Sequence, residues 1–123
     1  MTIRLNVEIA DTLAKQEAGL MFRKKLGNNE GMLFVFNKPM KLNFWGLNTF
    51  LCLSIVYVSP ENKIIKIDRI KPLSFKTISS DRDCIMAIEA NEGFFSKNGI
   101  KVGDKINVGK DDLGFDVVDF LGE

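Results

Sequence analysis

Apolar residues in this 123-residue chain come in short runs, each closed by turn-forming residues, and that pattern restricts the fold more than any other feature. Ile3, Leu5, Val7 and Ile9 alternate with Arg4, Asn6 and Glu8, the period-two signature of a half-buried strand. MLFVF (32–36), LSIVYV (53–58) and CIMAIEA (84–90) are continuous apolar runs and read as buried strands. LNFW (42–45) and KINV (105–108) read as shorter strands, with Asn37-Lys38-Pro39 breaking the chain before the first of them. Ser-Pro-Glu-Asn (59–62) joins LSIVYV to KIIKIDRI (63–70) as a hairpin, and 71–82 reads as a polar loop. Two brief helices are expected. LAKQEAGLM follows Asp11 or Thr12 as N-cap and ends near Gly19, and EGFFSKNG (92–99) follows Asn91 as cap and stops at Gly99. The fold class is therefore mainly β (α+β): a compact β-barrel or sandwich-like single domain, 1–123, with one or two short helices. Residues 109–123 read as an acidic C-terminal extension or an added strand.

The residue inventory narrows the chemistry. The chain has no histidine, which removes the usual neutral-pH general base and every Ser-His-Asp or Cys-His nucleophile arrangement. Without histidine, zinc would have only Cys52, Cys84 and carboxylates, so no metal or cofactor is expected. Neither GxxxxGK[ST] nor a strand-linked GxGxxG is present. Cys52 and Cys84 lie in apolar runs, without a CxxC pair, and read as buried free thiols rather than disulfide partners. The N-terminus alternates from its start and lacks the apolar core of a secretory signal, and no run is long enough to span a bilayer. These readings place the protein in the cytoplasm, with no membrane association.

Charge is unevenly spread. Residues 1–76 carry a net +6 and residues 77–123 a net −5, which together give the overall +1. Either a basic face binds a polyanion, or the two halves attract each other within one domain; the second is the ordinary outcome. NFWGLNTF (43–50) holds the only tryptophan. Trp45 and Phe44 could stack on a ring or base, but strand alternation sends neighbours to opposite faces, so at most one lines a pocket and a lone tryptophan most often joins the core. Asn48-Thr49 suits hydrogen bonding to a ligand or to loop backbone, and Asp104 in VGDK suits fixing a turn.

GLMFR (19–23), EGMLFVF (30–36), NFWGLNT (43–49), LSIVYV, IEANEGFF (88–95) and GIKVGDKI (99–106) occur in an order that resembles DUF192, a family of small uncharacterised domains of bacteria and archaea. The resemblance covers about residues 5–108 and implies a mostly β domain of undefined activity. Arg23, Glu30, Gly31, Met32, Phe44, Trp45, Asn48, Thr49, Leu53, Ile55, Glu89, Asn91 and Gly93 match the family pattern. The chain departs from it where Met-Lys after tryptophan becomes Gly46-Leu47, proline becomes Cys52 and aspartate becomes Ser54. Many relatives carry export signals, and the N-terminus here does not read as one, so an intracellular branch of the family is expected.

Taken together, these features predict a non-enzymatic binding or interaction module for a small ligand or protein partner. Its candidate ligand-binding residues are Arg23, Glu30, Trp45, Asn48, Thr49 and Glu89, with Trp45 an apolar wall, Asn48 and Thr49 hydrogen-bonding groups, and Arg23 an anion contact. One alternative is nucleic-acid association through Arg23-Lys24-Lys25, Lys38, Lys41 and the lysines of 63–76. Another is a hydrolase or lyase using Glu30 and Glu89.

Overall fold

The alternating N-terminal segment forms strand β1, Thr2–Ala10, and it organises the sheet by pairing parallel with β2, Glu30–Phe44, and antiparallel with β7, Asp116–Leu121. In the computed structural model, which describes residues 2–122, the remaining elements are helix α1 (Leu13–Ala18), β3 (Leu53–Val58), β4 (Ile64–Ile70), β5 (Ile78–Asn91), helix α2 (Phe94–Lys97) and β6 (Lys105–Lys110). Met1 and Glu123, the ends of the expected domain, lie outside the described residues. The strands make one sheet in the order β4-β3-β5-β2-β1-β7-β6, curled into a half-barrel. The acidic tail thus supplies a strand that sits inside the sheet, between β1 and β6.

Apolar side chains cover both faces of the curl. One face gathers Leu33, Val56, Val58, Ile88, Ile106, Val118 and Phe120 beneath α2's Phe94 and Phe95. The other gathers Met32, Phe34, Leu42, Leu53, Ile55, Tyr57, Cys84 and Ala87 with Leu20. Strand β3 is buried at every position, which is why LSIVYV reads as an unbroken apolar run.

Two expected boundaries are corrected. Asn37-Lys38-Pro39 does not end a strand: β2 runs through it for 15 residues. From Val35 to Met40, β2 advances five residues while β5 advances two, so Pro39 falls where the ladder is interrupted and no N–H is required of it. The loop expected at 71–82 stops earlier, because β5 begins at Ile78. There β5 advances four residues while β2 goes from Lys41 to Asn43, and buried Ser80 fills the gap by accepting from the Leu42 N–H (2.9 Å) and donating to the Arg82 carbonyl (2.7 Å).

Smaller corrections have local causes. Asn91 does not cap α2; its amide donates to the carbonyls of Leu26 (2.8 Å) and Gly27 (3.1 Å). Gly93 takes the N-cap position in a left-handed conformation, φ 85°, and its N–H is accepted by Ser54 Oγ at 3.0 Å. Both cysteines are free thiols; Cys84 is buried, but Cys52 sits just outside β3 and is exposed. The charge asymmetry is met partly inside the fold. Arg4–Asp119, Lys66–Asp81 and Arg69–Glu92 each join a cation of the basic part to a carboxylate of the acidic part.

Candidate functional site

The second apolar face is not fully closed. Helix α1 crosses its edge, and between the helix, β2 and the loop after β2 lies a cavity of about 360 Å³. Thr12 starts the helix, accepting the Lys15 N–H through Oγ1 at 3.2 Å. The helix buries none of its side chains. Gln16 anchors it instead, with Nε2 donating to the carbonyls of Ala10 (3.2 Å) and Val35 (2.7 Å). The Val35 carbonyl lies at the start of the β2 irregularity, so the interrupted ladder is what gives the helix its attachment. Leu20, Met21, Phe34, Phe44 and Trp45 supply most of the apolar wall.

Glu89 contributes the one buried carboxyl of the lining. It lies on β5 directly opposite Met32 of β2 and Ile55 of β3, with 5% of its surface exposed. Among the described residues it has no hydrogen-bond or ion-pair partner. Among the described residues no enclosed side-chain oxygen or nitrogen lacks a partner, so the unpartnered carboxyl borders the cavity rather than being sealed off from it. Burial alone pushes its pKa up to about 8, and no neighbouring cation opposes the shift. At neutral pH the group is mostly protonated, an acid held in an apolar recess.

The cavity mouth is aromatic. Trp45 is 45% exposed and meets Phe75 edge-on, ring centroids 6.4 Å apart. Phe22 and Phe50 pair similarly at 6.3 Å. Three loops are tied together here by backbone hydrogen bonds from Phe22 to Asn48 (2.8 Å), Leu73 to Thr49 (3.0 Å) and Gly46 to Ser74 (3.1 Å). Deeper in, Phe34 and Phe44 meet at 4.9 Å with their planes at 72°.

The DUF192 sequence profile, described as an uncharacterized ACR, matches residues 1–108. The chain belongs to the DUF192 family. Two solved structures share its fold. One is a protein of unknown function from Novosphingobium aromaticivorans, 35% identical, covering 82% of this chain and 73% of its own, TM-score 0.80. The other, from Sinorhizobium meliloti, is provisionally described as a transcription regulator; it is 27% identical and covers 85% of this chain and 92% of its own, TM-score 0.80. No curated protein is significantly similar to the chain.

Of the residues expected to form a site in this DUF192 domain, Trp45, Thr49 and Glu89 line the α1 cavity together. Trp45 is partly exposed rather than a core residue, and both Phe44 and Trp45 line the cavity. Strand alternation does not separate them, because β2 ends at Phe44. Thr49 is buried and its hydroxyl donates to the Leu47 carbonyl at 3.3 Å. Asn48 is an exposed turn residue at φ 54°, engaged through its carbonyl by Phe22. Arg23 and Glu30 lie elsewhere, in a groove beside β1. Arg23 forms a two-pronged pair with Glu8, whose carboxyl it holds below the usual range. Glu30 accepts the Gly27 N–H at 2.7 Å, closing a turn. Glu30 and Glu89 therefore do not share a cavity.

Gln16, Leu20 and Phe34 are wall residues beyond those expected from the sequence. For Phe34 the signal was its alternation with Met32 and Phe36, which share its face of β2. The departures from the family pattern acquire reasons. Gly46 is required here, since a Cβ would collide with the Lys71 carbonyl oxygen, and Ser54 accepts the Gly93 N–H just ahead of α2. Among the described residues no helix is long and apolar enough to cross a membrane, and no cluster of three His, Cys, Asp or Glu side chains could hold a metal ion.

Proposed function

We propose that this domain is a non-enzymatic binding module that holds a small molecule in the α1 cavity, with the apolar body of the ligand against Leu20, Met21, Phe34, Phe44 and Trp45 and one polar group against Glu89. The unpartnered, buried Glu89 carboxyl carries this reading. A group of that kind lowers stability and is normally satisfied within the fold, so its presence at the base of a cavity matches a ligand contact. The volume suits a small ligand, and an apolar lining with few polar groups is the usual make-up of such sites. Free Cys52 and Cys84 fit a role inside the cell, where thiols stay reduced.

The test is a fragment screen read by amide NMR shifts. Binding should move the amides of 16–21, 34–36, 44–49 and 87–91 together. Fragments that bind only elsewhere, or not at all, would remove the proposal. A nucleic-acid role has one observation behind it, the description given to the Sinorhizobium protein. Single-stranded DNA should then bind with a steep loss of affinity on adding salt.

A further inference from the structure

We infer that the ligand of the α1 cavity carries a positively charged nitrogen, an organic ammonium seated between the Glu89 carboxylate and the rings of Phe34, Phe44 and Trp45. This rests on the small-molecule reading above and specifies its chemistry.

The first argument is the missing counter-charge. A buried carboxyl is kept in a fold when it is paired, hydrogen-bonded or neutralised. Glu89 has none of the first two among the described residues. The charged side chains around the cavity are Glu17 on α1, Lys41 on β2 and Glu89 on β5. Lys41 is exposed and forms no ion pair with Glu89. From β3, Tyr57 faces the same side, but its hydroxyl donates to the Ile78 carbonyl at 2.9 Å and not to Glu89. Of the other titratable groups on β5, Cys84 interacts with Ser80, Asp81 pairs with Lys66, and Arg82 and Asp83 are exposed. Once Glu89 ionises, no cation among the described residues is bonded to it, and a ligand is left to supply the positive charge.

The second argument is the wall. Aromatic faces attract cations, most strongly where water is excluded. Phe34 and Phe44 stand edge to face within the cavity and Trp45 stands at its mouth. Leu20 and Met21 offer hydrocarbon for the carbon frame of the ligand. An anionic ligand would meet the π-faces as repulsive, and the Glu89 carboxylate as well once that group ionises. A neutral hydroxyl would gain little from the rings.

Binding an ammonium requires Glu89 to ionise, so the proton it holds at neutral pH leaves as the ligand enters. An alkylammonium, like a lysine, keeps its charge to about pH 10. Affinity for it should therefore rise between pH 6 and about 8 and then level off.

The experiment compares three probes of one shape: phenethylamine, 2-phenylethanol and 3-phenylpropionate. Each is titrated into the full chain at pH 6, 7, 8 and 9, followed by calorimetry and by emission of Trp45, the sole tryptophan. The expected result is phenethylamine at least tenfold tighter than the alcohol at pH 8, proton release on binding, and a tenfold or greater loss for the amine alone in Glu89→Gln. The comparison among probes needs no variant, so it stands even if that substitution impairs folding. Amine and alcohol binding equally would overturn the ammonium inference and leave the small-molecule reading intact. Tightest binding by the acid, weakening as pH rises, would also overturn it, in favour of a protonated Glu89 acting as donor. No binding by any probe would overturn both readings.

Discussion

Glu89 faces Met32 across the β5–β2 ladder and Ile55 across the β5–β3 ladder, so a carboxyl stands between two apolar residues. Met32 and Ile55 on either side give it nothing to bond to. The cost of that placement is visible in pH. The folded chain keeps a proton on Glu89 up to about pH 8, whereas the unfolded chain releases it near the ordinary glutamate value of 4.5. Because the folded-state pKa is raised, the favourable contribution is complete at low pH and is lost as pH climbs through that window. Glu89→Gln should match the parent in stability near pH 4. It should then become progressively more stable, by roughly 1.4 kcal/mol per pH unit, until the difference levels off above pH 8. Urea unfolding at pH 4, 6 and 8 measures this; parallel curves for the two proteins would show that Glu89 is solvated or paired.

Gln16 is the second point of leverage. Its two hydrogen bonds are the polar attachment of a helix that buries no side chain. Gln16→Ala should cost about 1–3 kcal/mol of local stability at α1, the net worth of two such bonds. Amide exchange at Gln16 and Gly19, whose N–H groups bond to Thr12 and Lys15 carbonyls, should accelerate by about tenfold or more, while β3 and β5 amides change far less. Uniform acceleration across the sheet would mean that α1 does not open independently.

How much of this was legible in the sequence follows from where side chains obey the strand period. β1 and β3 were readable because alternation in one, and burial of both faces in the other, leave simple patterns. The middle of β2 and the start of β5 were not. Their bulges let Pro39, Ser79, Ser80 and Asp81 lie within or beside a ladder that sequence rules exclude them from. Glu89 stands out as the one acid in CIMAIEA, but its isolation depends on the β2 and β3 register, which no local pattern states. Arg23 and Glu30 follow apolar and turn residues much as a site would. Their partners, Glu8 and the Gly27 N–H, are a strand and a turn whose side chains happen to lie within reach. The polarity of the two halves was readable as charge, and its resolution in pairs such as Arg4–Asp119 needed β7 to lie beside β1.

Gly46 tests the packing of the cavity mouth. A Cβ there would run into the Lys71 carbonyl, a backbone atom that cannot swing aside. Gly46→Ala should separate the 45–51 and 71–75 segments, break the Gly46–Ser74 hydrogen bond and draw Phe75 away from Trp45. The expected cost is about 1–3 kcal/mol, the usual penalty for forcing atoms into a filled space. Trp45 emission should shift red as its remaining cover is lost. An unchanged melting temperature together with unchanged emission would show that these loops are not in contact in solution.

Asp104 should behave oppositely to Glu89 in pH. Burial works against its charge, but Lys101 overcomes this with an N–H to Oδ2 at 3.0 Å and an ammonium to Oδ1 at 2.9 Å, and the carboxyl is held below the usual range. The turn it closes matters to the sheet, since the Asp104 carbonyl accepts the Ile64 N–H at 2.9 Å at the start of β4. Asp104→Asn would set an amide donor against donors on Lys101 and should cost about 1–3 kcal/mol at pH 7. A lowered carboxyl pKa contributes stability that is complete above the unfolded value and lost as pH falls through the folded one. The gap between parent and Asp104→Asn should therefore be full at pH 6–7 and shrink below pH 4. There the parent loses stability and the variant, lacking the titrating group, does not lose it at this site. Thermal unfolding of both proteins from pH 7 to pH 3 reads the effect. A gap that stays constant over that range would mean that the turn is held by backbone geometry, with the Asp104 charge contributing nothing.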